Sequence, residues 1–210
     1  MECRICETRR PRRSCPGVRG DICAQCCGTG REVTIDCPLD CEYLLEARER
    51  EKFQSLDPND VPNKDIQVTE EFLSRNDELV LLLSRFLLAA AVNTPGAADQ
   101  DIRDALEAIV KTYRTRQSGL IYETRPQNPL AGAILQALTA NLAEYQQALQ
   151  RQSGMSTLRD ADVLGVLVFL QRVSVHWNNQ RPRGRSFISF LLKRHEETRN
   201  QPPGGSLIVP

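Results

Sequence analysis

The chain has 210 residues, 40% of them hydrophobic, and its 27 Lys and Arg residues balance 27 Asp and Glu residues. The N-terminal stretch is charged rather than apolar, which excludes a secretory signal; the most apolar run, residues 79–92, contains Arg85 and is too short to span a bilayer. We therefore expect a cytoplasmic protein without a membrane span, in a reducing compartment where clustered cysteines bind metal more often than they form disulfides.

The two ends of the chain are basic and its middle is acidic. Residues 1–31 contain seven basic and three acidic residues, whereas residues 32–108 contain seven basic and 18 acidic residues. Residues 172–210 are basic again, with seven basic and two acidic residues. Charge runs of this kind usually form solvated surface, and a fold that keeps the two ends apart would be strongly dipolar.

All eight cysteines of the chain lie in its first 41 residues, a segment with few large apolar side chains. Zn²⁺ binds four thiolates or imidazoles, which usually come as closely spaced pairs from separate segments. The chain has two C-x2-C pairs and one C-x3-C pair, and eight thiolates suit two structural zinc ions. We therefore predict eight zinc ligands: Cys3, Cys6, Cys15, Cys23, Cys26, Cys27, Cys37 and Cys41.

The stretch between these cysteines predicts a small mixed fold. Gly28 and Gly30 can supply the positive φ angles of a tight knuckle turn, and residues 31–35 alternate as in a short strand. Cys37 is predicted near the N-cap of a helix, with Cys41 one turn further on the same face. Knuckle, strand and helix in this order are typical of a treble-clef finger.

The adjacent Cys26 and Cys27 are expected to serve different metals, because neighbouring side chains in extended backbone point in opposite directions. We name the preferred groups the first set and the second set; exchange of Cys26 with Cys27 between them is the alternative. The first set is Cys3, Cys6, Cys23 and Cys26, and the second set is Cys15, Cys27, Cys37 and Cys41.

Other chemistries fit the cysteines less well. An even number of cysteines allows a disulfide scaffold, but no export signal accompanies it. The C-x2-C-x2-C run of bacterial ferredoxins is missing, and a redox pair at Cys26 and Cys27 requires that one of them is not a ligand. A catalytic zinc ion needs an open position and usually His or carboxylate ligands, whereas His176 and His195 lie far along the chain.

The motifs CRIC, SCPG, DICAQCC and DCPLDC resemble the cross-brace, double-zinc fingers of the HIT and MYND type, over about 40 residues. The chain departs from that pattern because Val18 stands where a partner of Cys15 would complete a C-x2-C pair, and because no histidine takes part. The whole chain also resembles a group of bacterial proteins with a CCGT-(basic)-E…DCP.DC.YL start and a helical remainder. This second resemblance implies no particular function.

The arginines near the cysteines have two interpretations. Two zinc ions with eight thiolates carry a charge of −4, which nearby guanidinium groups can neutralise while they donate hydrogen bonds to sulfur. Alternatively, a basic loop at residues 9–14 and a second basic segment at residues 181–185 contact nucleic acid or an acidic partner. The candidate contact residues are Arg9, Arg10, Arg12, Arg13, Arg181, Arg183 and Arg185.

Helical patterns dominate the rest of the chain. After a charged helix at residues 41–53 and a turn-rich linker at 54–65, about five helices are predicted, with N-caps at Thr69, Asn128, Thr157 and Ser186. One of these helices has a seam that predicts packing on a single partner helix. The seam residues are Ala131, Leu135, Leu138, Leu142, Tyr145 and Leu149.

The sequence thus predicts a mainly α protein with two parts. Residues 1–53 form a double-zinc, treble-clef-like finger, residues 54–65 a linker, residues 66–198 a helical bundle, and residues 199–210 a disordered tail. The nucleotide-binding, zinc-protease and nucleophile-elbow motifs are all missing, so we expect no enzyme. The leading hypothesis is a zinc-binding adaptor or regulator that binds another protein, without a prediction of oligomeric state. The alternative is a nucleic-acid-binding regulator that uses the two basic segments.

Overall fold

The structure, a computed structural model, describes residues 2–51, 61–120, 122–153 and 158–200. Residues 2–51, here called the Cys-rich unit, contain two strands and two short helices: β1 (Arg13–Cys15), β2 (Gly20–Ile22), α1 (Ala24–Gly30) and α2 (Glu42–Arg48). The remaining described residues contain six helices: α3 (Glu70–Arg75), α4 (Asp77–Val92), α5 (Asp99–Gln117), α6 (Pro129–Ser153), α7 (Asp160–His176) and α8 (Ser186–Asn200).

Strands β1 and β2 form an antiparallel hairpin that the sequence analysis did not predict. Arg13 pairs with Ile22 and Cys15 with Gly20, and the connecting turn ends at Arg19, which has a φ of 52°. The predicted basic loop at residues 9–14 therefore runs into a strand at its end. The hairpin fixes Cys15 beside the rest of the Cys-rich unit.

Helix α1 replaces the predicted knuckle turn. Its N-cap is Cys23, whose Sγ accepts a hydrogen bond from the amide of Cys26 at 3.4 Å. Gly28 and Gly30 are helical, and the glycines with positive φ in the described ranges are Gly96 and Gly119. The predicted positive φ angles at Gly28 and Gly30 are therefore wrong, because the capped helix accommodates both residues.

A tight turn takes the place of the predicted strand at residues 31–35. The amides of Val33, Thr34 and Ile35 all donate to the carbonyl of Gly30, at 2.9–3.1 Å. Arg31 and Ile35 form only an isolated bridge, and the left-handed conformation falls on Glu32, with a φ of 52°.

Helix α2 begins later than predicted. Its N-cap is Cys41, whose amide closes a turn onto the carbonyl of Pro38 at 3.2 Å, and Cys37 lies before that turn. The order of knuckle, strand and helix is thus not observed, and the treble-clef assignment is not confirmed.

The described residues of the helical part form six helices rather than the predicted five, because the first predicted helix divides at Asn76. Thr69 caps α3 as predicted, with its Oγ1 accepting from the amide of Phe72 at 3.1 Å. At Asn76 the backbone turns to φ −114° and ψ 23°, and α4 begins at the next residue. Asn128 caps α6, with Oδ1 accepting from the amide of Leu130 at 2.9 Å, whereas Thr157 lies outside the described residues.

Helices α4 and α5 lie at the centre of the core and both contact α6, α7 and α8. The predicted seam of α6 faces α4 and α5 rather than one helix. Its residues Ala131, Leu138 and Leu142 are buried, and Ile134, which the predicted seam did not include, is buried with them. Trp177 closes one end of the core by stacking on Phe190, with 4.6 Å between ring centroids. None of the helices in the described ranges combines the length and the hydropathy that crossing a membrane requires.

Part of the predicted linker is attached to the helices. Arg172 of α7 donates to the carbonyls of Pro62 and Asn63, at 3.1 and 2.7 Å. Arg114 of α5 forms an ion pair with Asp65 at 2.8 Å. The other predicted linker residues, 54–60, and all but two residues of the predicted tail lie outside the described ranges.

Candidate metal centre

The first set of cysteines comes together at the N-terminal end of α1. Cys3 and Cys6 lie in a turn closed by the amide of Glu7, which donates to the carbonyl of Cys3 at 2.8 Å. Cys23 caps α1 and Cys26 lies in its first turn. The four Sγ atoms all lie within 4.8 Å of one another. Zn–S bonds of about 2.3 Å place tetrahedral sulfurs about 3.8 Å apart, so this geometry is compatible with a tetrahedral zinc site.

Backbone amides favour the thiolate forms of two of these sulfurs, Cys3 and Cys6. The amide of Cys23 donates to Sγ of Cys3 at 3.2 Å. Burial raises the pKa of Cys3, but backbone hydrogen bonds from Cys6, Cys23 and Ile5 outweigh it and lower the pKa to about 6. The pKa of Cys26 rises to about 12, first because of its side-chain hydrogen bond with Cys23 and then because of burial.

The opposite pKa shifts of Cys3 and Cys26 arise because the thiols of the first set interact at close range. One thiol readily loses its proton, and the resulting negative charge makes its neighbour hold the proton more tightly. A divalent cation removes that conflict, because a coordinating thiol is deprotonated outright. The four sulfurs of the first set therefore fit Zn²⁺ as ligands. The residues that would hold the ion are Cys3, Cys6, Cys23 and Cys26.

The second set of cysteines lines a different cavity, bordered by β1, α1 and the residues before α2. Cys15, Cys27, Cys37 and Cys41 all line this cavity, whose volume is about 10 Å³. That volume is about the size needed for one water-sized particle. No three of these four sulfurs, all within the described residues, approach one another as closely as those of the first set.

Arginine side chains reach sulfur in both sets. Nη1 of Arg13 donates to Sγ of Cys27 at 3.2 Å, and Nη2 of Arg31 lies 3.9 Å from the same atom. The guanidinium of Arg13 also stacks over the ring of Tyr43 at 4.5 Å. A side-chain hydrogen bond with Cys23 raises the pKa of Arg9. These contacts support the interpretation that nearby arginines neutralise the thiolates.

Two of the three candidate contact residues in the second basic segment have intramolecular roles. Nη1 of Arg181 donates to the carbonyl of Arg31 at 2.6 Å. Arg185 forms an ion pair with Asp36 at 2.9 Å, and its side chain is 14% exposed. The exposed members of the candidate set are Arg9, Arg10, Arg12 and Arg183.

Glu32, which the sequence analysis placed at the start of a strand, is the buried centre of the contact between the Cys-rich unit and the helices. Its carboxylate accepts hydrogen bonds from Nη2 of Arg48 at 2.8 Å, from Nδ2 of Asn179 at 2.9 Å and from the amide of Arg185 at 2.9 Å. Its carbonyl accepts from the amide of Arg183 at 2.9 Å. No local pattern marks this residue, because its partners lie up to 153 positions away.

A second buried carboxylate, Asp99, holds the N-terminus of α8. Its two oxygens accept from the amides of Phe187 and Ile188 at 2.9 and 3.1 Å, so the cap comes from α5 rather than from the predicted Ser186. Burial raises the pKa of Asp99 to about 6, against the opposing effect of the two amides. Ser186 is the first residue of α8 and contacts Glu51 at 3.1 Å.

No protein-family model matches this chain, and neither a curated protein nor a solved structure is significantly similar to it. The four-cysteine cluster is compatible with a zinc finger, but the HIT or MYND type is not confirmed.

Proposed function

We propose that this protein is a non-enzymatic, zinc-binding adaptor or regulator that acts by binding another protein. The observation that carries the proposal is the mutual approach of four cysteine sulfurs within 4.8 Å. Four thiolates complete a tetrahedral coordination sphere and leave no position for a substrate, which is typical of structural rather than catalytic zinc. The metal then maintains a surface, and the surface carries the function.

We further propose a second structural zinc ion on the second set. Four cysteines line one small cavity, and two guanidinium groups, from Arg13 and Arg31, approach the sulfur of Cys27. Burial raises the pKa of Cys37, and the charges of Glu32, Cys15 and Cys41 raise it further, so several potential anions converge here. A cation with nearby arginines would balance them, and a modest inward movement of the sulfurs would complete the site.

The Cys-rich unit also has apolar side chains available to a protein partner. Ile5, Val33 and Leu45 are 45%, 39% and 46% exposed. Aliphatic groups of this kind form the dry centre of protein–protein contacts. This composition favours a protein partner over a phosphate backbone.

The alternative, binding of nucleic acid, is favoured by the exposed Arg10, Arg12 and Arg183. Two of the arginines predicted to contact nucleic acid, Arg181 and Arg185, do not support this alternative, because their side chains are bonded within the molecule. With about three phosphate contacts, the affinity for duplex DNA would fall with salt at a logarithmic slope of about −3.

The experiment combines metal analysis with partner capture. Protein purified without added metal should contain two zinc ions per chain, and one or none would contradict the two-ion proposal. A partner captured from the native organism should bind the purified wild type in calorimetry and fail to bind an Ile5→Asp/Leu45→Asp variant.

Val92→Asp is the matched control for this capture, because Val92 is 54% exposed but lies in α4. It should bind the partner like the wild type. Binding of DNA or RNA with a salt slope near −3, lost in Arg10→Ala/Arg12→Ala, would instead establish the alternative.

A further inference from the structure

The loop between α7 and α8 (residues 177–185, here the α7–α8 loop) is bonded to one short stretch of the Cys-rich unit. Arg181 donates to the carbonyl of Arg31, Asn179 to the carboxylate of Glu32, and the amide of Arg183 to the carbonyl of Glu32. These bonds are 2.6–2.9 Å long and join residues about 150 positions apart. They attach the loop to residues 31 and 32 rather than to the hairpin.

Arg185, at the end of this loop, ties three segments together. Its Nη2 forms the ion pair with Asp36 at 2.9 Å, and its Nη1 donates to the carbonyl of Cys37 at 3.2 Å. Its Nε donates to the carbonyl of Ala97 at 2.8 Å, in the connection between α4 and α5. One guanidinium therefore joins the residues around Cys37 to the helical part.

The acceptors of the α7–α8 loop lie beside ligands of the second set. Arg31 is the C-cap of α1, and its amide donates to the carbonyl of Cys27 at 3.0 Å. Asp36 adjoins Cys37, and the carbonyl of Cys37 is itself an acceptor. Within the described residues, the hydrogen bonds of the first set remain inside the Cys-rich unit, as in the bond from the amide of Cys23 to Sγ of Cys3.

We propose that metal bound by the second set is a latch that fixes the α7–α8 loop to the Cys-rich unit, whereas metal in the first set is not. This inference rests on the second zinc ion of the proposed function. Zinc on Cys27 and Cys37 holds residues 31–32 and residues 36–37 at one separation, and the loop bonds to both stretches at once. Loss of that metal frees the two stretches to move apart, and the loop then loses its paired acceptors.

The test compares matched double variants of the full chain by amide hydrogen exchange. Cys37→Ser/Cys41→Ser should lose one zinc ion and raise the exchange rates of the Arg183 and Arg185 amides at least tenfold. Cys3→Ser/Cys6→Ser should also lose one zinc ion and change those two rates less than threefold. In both variants the amides of Ile109 and Val110, in α5, report whether the helical part remains folded.

A third variant keeps the test decisive if the second-set variant unfolds the whole Cys-rich unit. Glu32→Gln leaves all eight cysteines and should retain two zinc ions, while it raises exchange at Arg185 by weakening the carboxylate that accepts from this amide. The amide of Arg183 donates to the backbone carbonyl of Glu32, so the substitution leaves its acceptor in place. The latch proposal would be overturned if both double cysteine variants raised the exchange rates of the Arg183 and Arg185 amides equally. It would also be overturned if these amides stayed protected after loss of the second zinc ion. A wild type with fewer than two zinc ions would instead contradict the two-ion proposal on which the latch rests.

Discussion

The carboxylate of Glu32 accepts a hydrogen bond from the guanidinium of Arg48 at 2.8 Å, and the two side chains are 1% and 10% exposed. This pair joins the turn after α1 to α2, and the Arg48 guanidinium also contacts Ser189 of α8. Two charges buried this deeply depend on each other, because neither has water to replace its partner. The pair therefore stabilises the contact between the Cys-rich unit and the helices only while both members are present.

Replacing Glu32 by alanine should destabilise the protein strongly. The substitution leaves the buried guanidinium of Arg48 without its counter-charge, and Nε of Arg48 has no hydrogen-bond partner among the described residues to begin with. Breaking a buried ion pair from one side typically costs about 3–5 kcal/mol. Urea unfolding of zinc-loaded Glu32→Ala should show a loss of that order in the free energy of unfolding.

The control for this prediction is a solvent-exposed ion pair on the surface of the protein. Glu107 and Lys111 lie 2.5 Å apart on α5, with side chains 55% and 56% exposed. Exposed pairs contribute little, so Glu107→Ala should change the free energy of unfolding by less than about 0.5 kcal/mol. Similar losses in the two variants would show that burial does not set the importance of Glu32.

Gly17 should be intolerant of any side chain. A Cβ atom at this position would lie 2.4 Å from the carbonyl oxygen of Asp36 and 2.8 Å from the Ile35 side chain. Backbone cannot rotate out of the way, so the hairpin must move away from the residues before Cys37. Gly17→Ala should cost about 1–3 kcal/mol and release zinc more readily to a chelator than the wild type does.

Gly28 provides the matched control for this substitution. It is also a glycine of the Cys-rich unit, but a Cβ atom there would meet nothing within 4 Å. Because Gly28 is helical, Gly28→Ala should retain zinc and gain up to about 1 kcal/mol. If both variants release zinc equally, the close approach of Gly17 to Asp36 does not matter for metal binding.

Local signals in the sequence predicted some features of this fold correctly. Thr69 and Asn128 each bond to an amide two or three residues later, so the sequence alone contains both partners. Paired spacing likewise indicated that Cys3 with Cys6, and Cys23 with Cys26, would converge. In each case the geometry depends on neighbours along the chain.

Other features were predicted wrongly or missed, some of them local and some dependent on distant partners. The glycines of α1 suggested a turn, but the Sγ of Cys23 caps a helix there. The break between α3 and α4 at Asn76 was missed, because the periodicity of apolar residues does not register a change of backbone angle at a single residue. Glu32 has its partners in α2 and in the α7–α8 loop, so neither its burial nor its left-handed backbone follows from nearby residues.

Gly165 of α7 marks the place where α3 packs. A Cβ atom at Gly165 would lie 2.4 Å from Cζ of Phe72, so the ring and α7 meet at this glycine. Gly165→Ala should displace Phe72 and lower the free energy of unfolding by about 1–3 kcal/mol. Gly132→Ala in α6 meets nothing within 4 Å and should be neutral or stabilising by up to about 1 kcal/mol. Urea unfolding of both variants tests this, and a stable Gly165→Ala would contradict the packing of α3 on α7.

Asp99 should make stability depend on pH in the opposite sense to an ordinary surface carboxylate. Burial raises its pKa from 3.8 to about 6, so the folded state binds the proton more tightly than the unfolded state does. The resulting stabilisation is complete below pH 3.8 and is lost as the pH rises through 6, which removes about 1 kcal/mol between pH 5 and 7. Asp99→Asn cannot titrate, so its free energy of unfolding, measured in urea at pH 5, 6 and 7, should lack this decrease. Since zinc binding varies with pH in both proteins alike, the difference between the two curves isolates Asp99, and parallel curves would contradict the raised pKa.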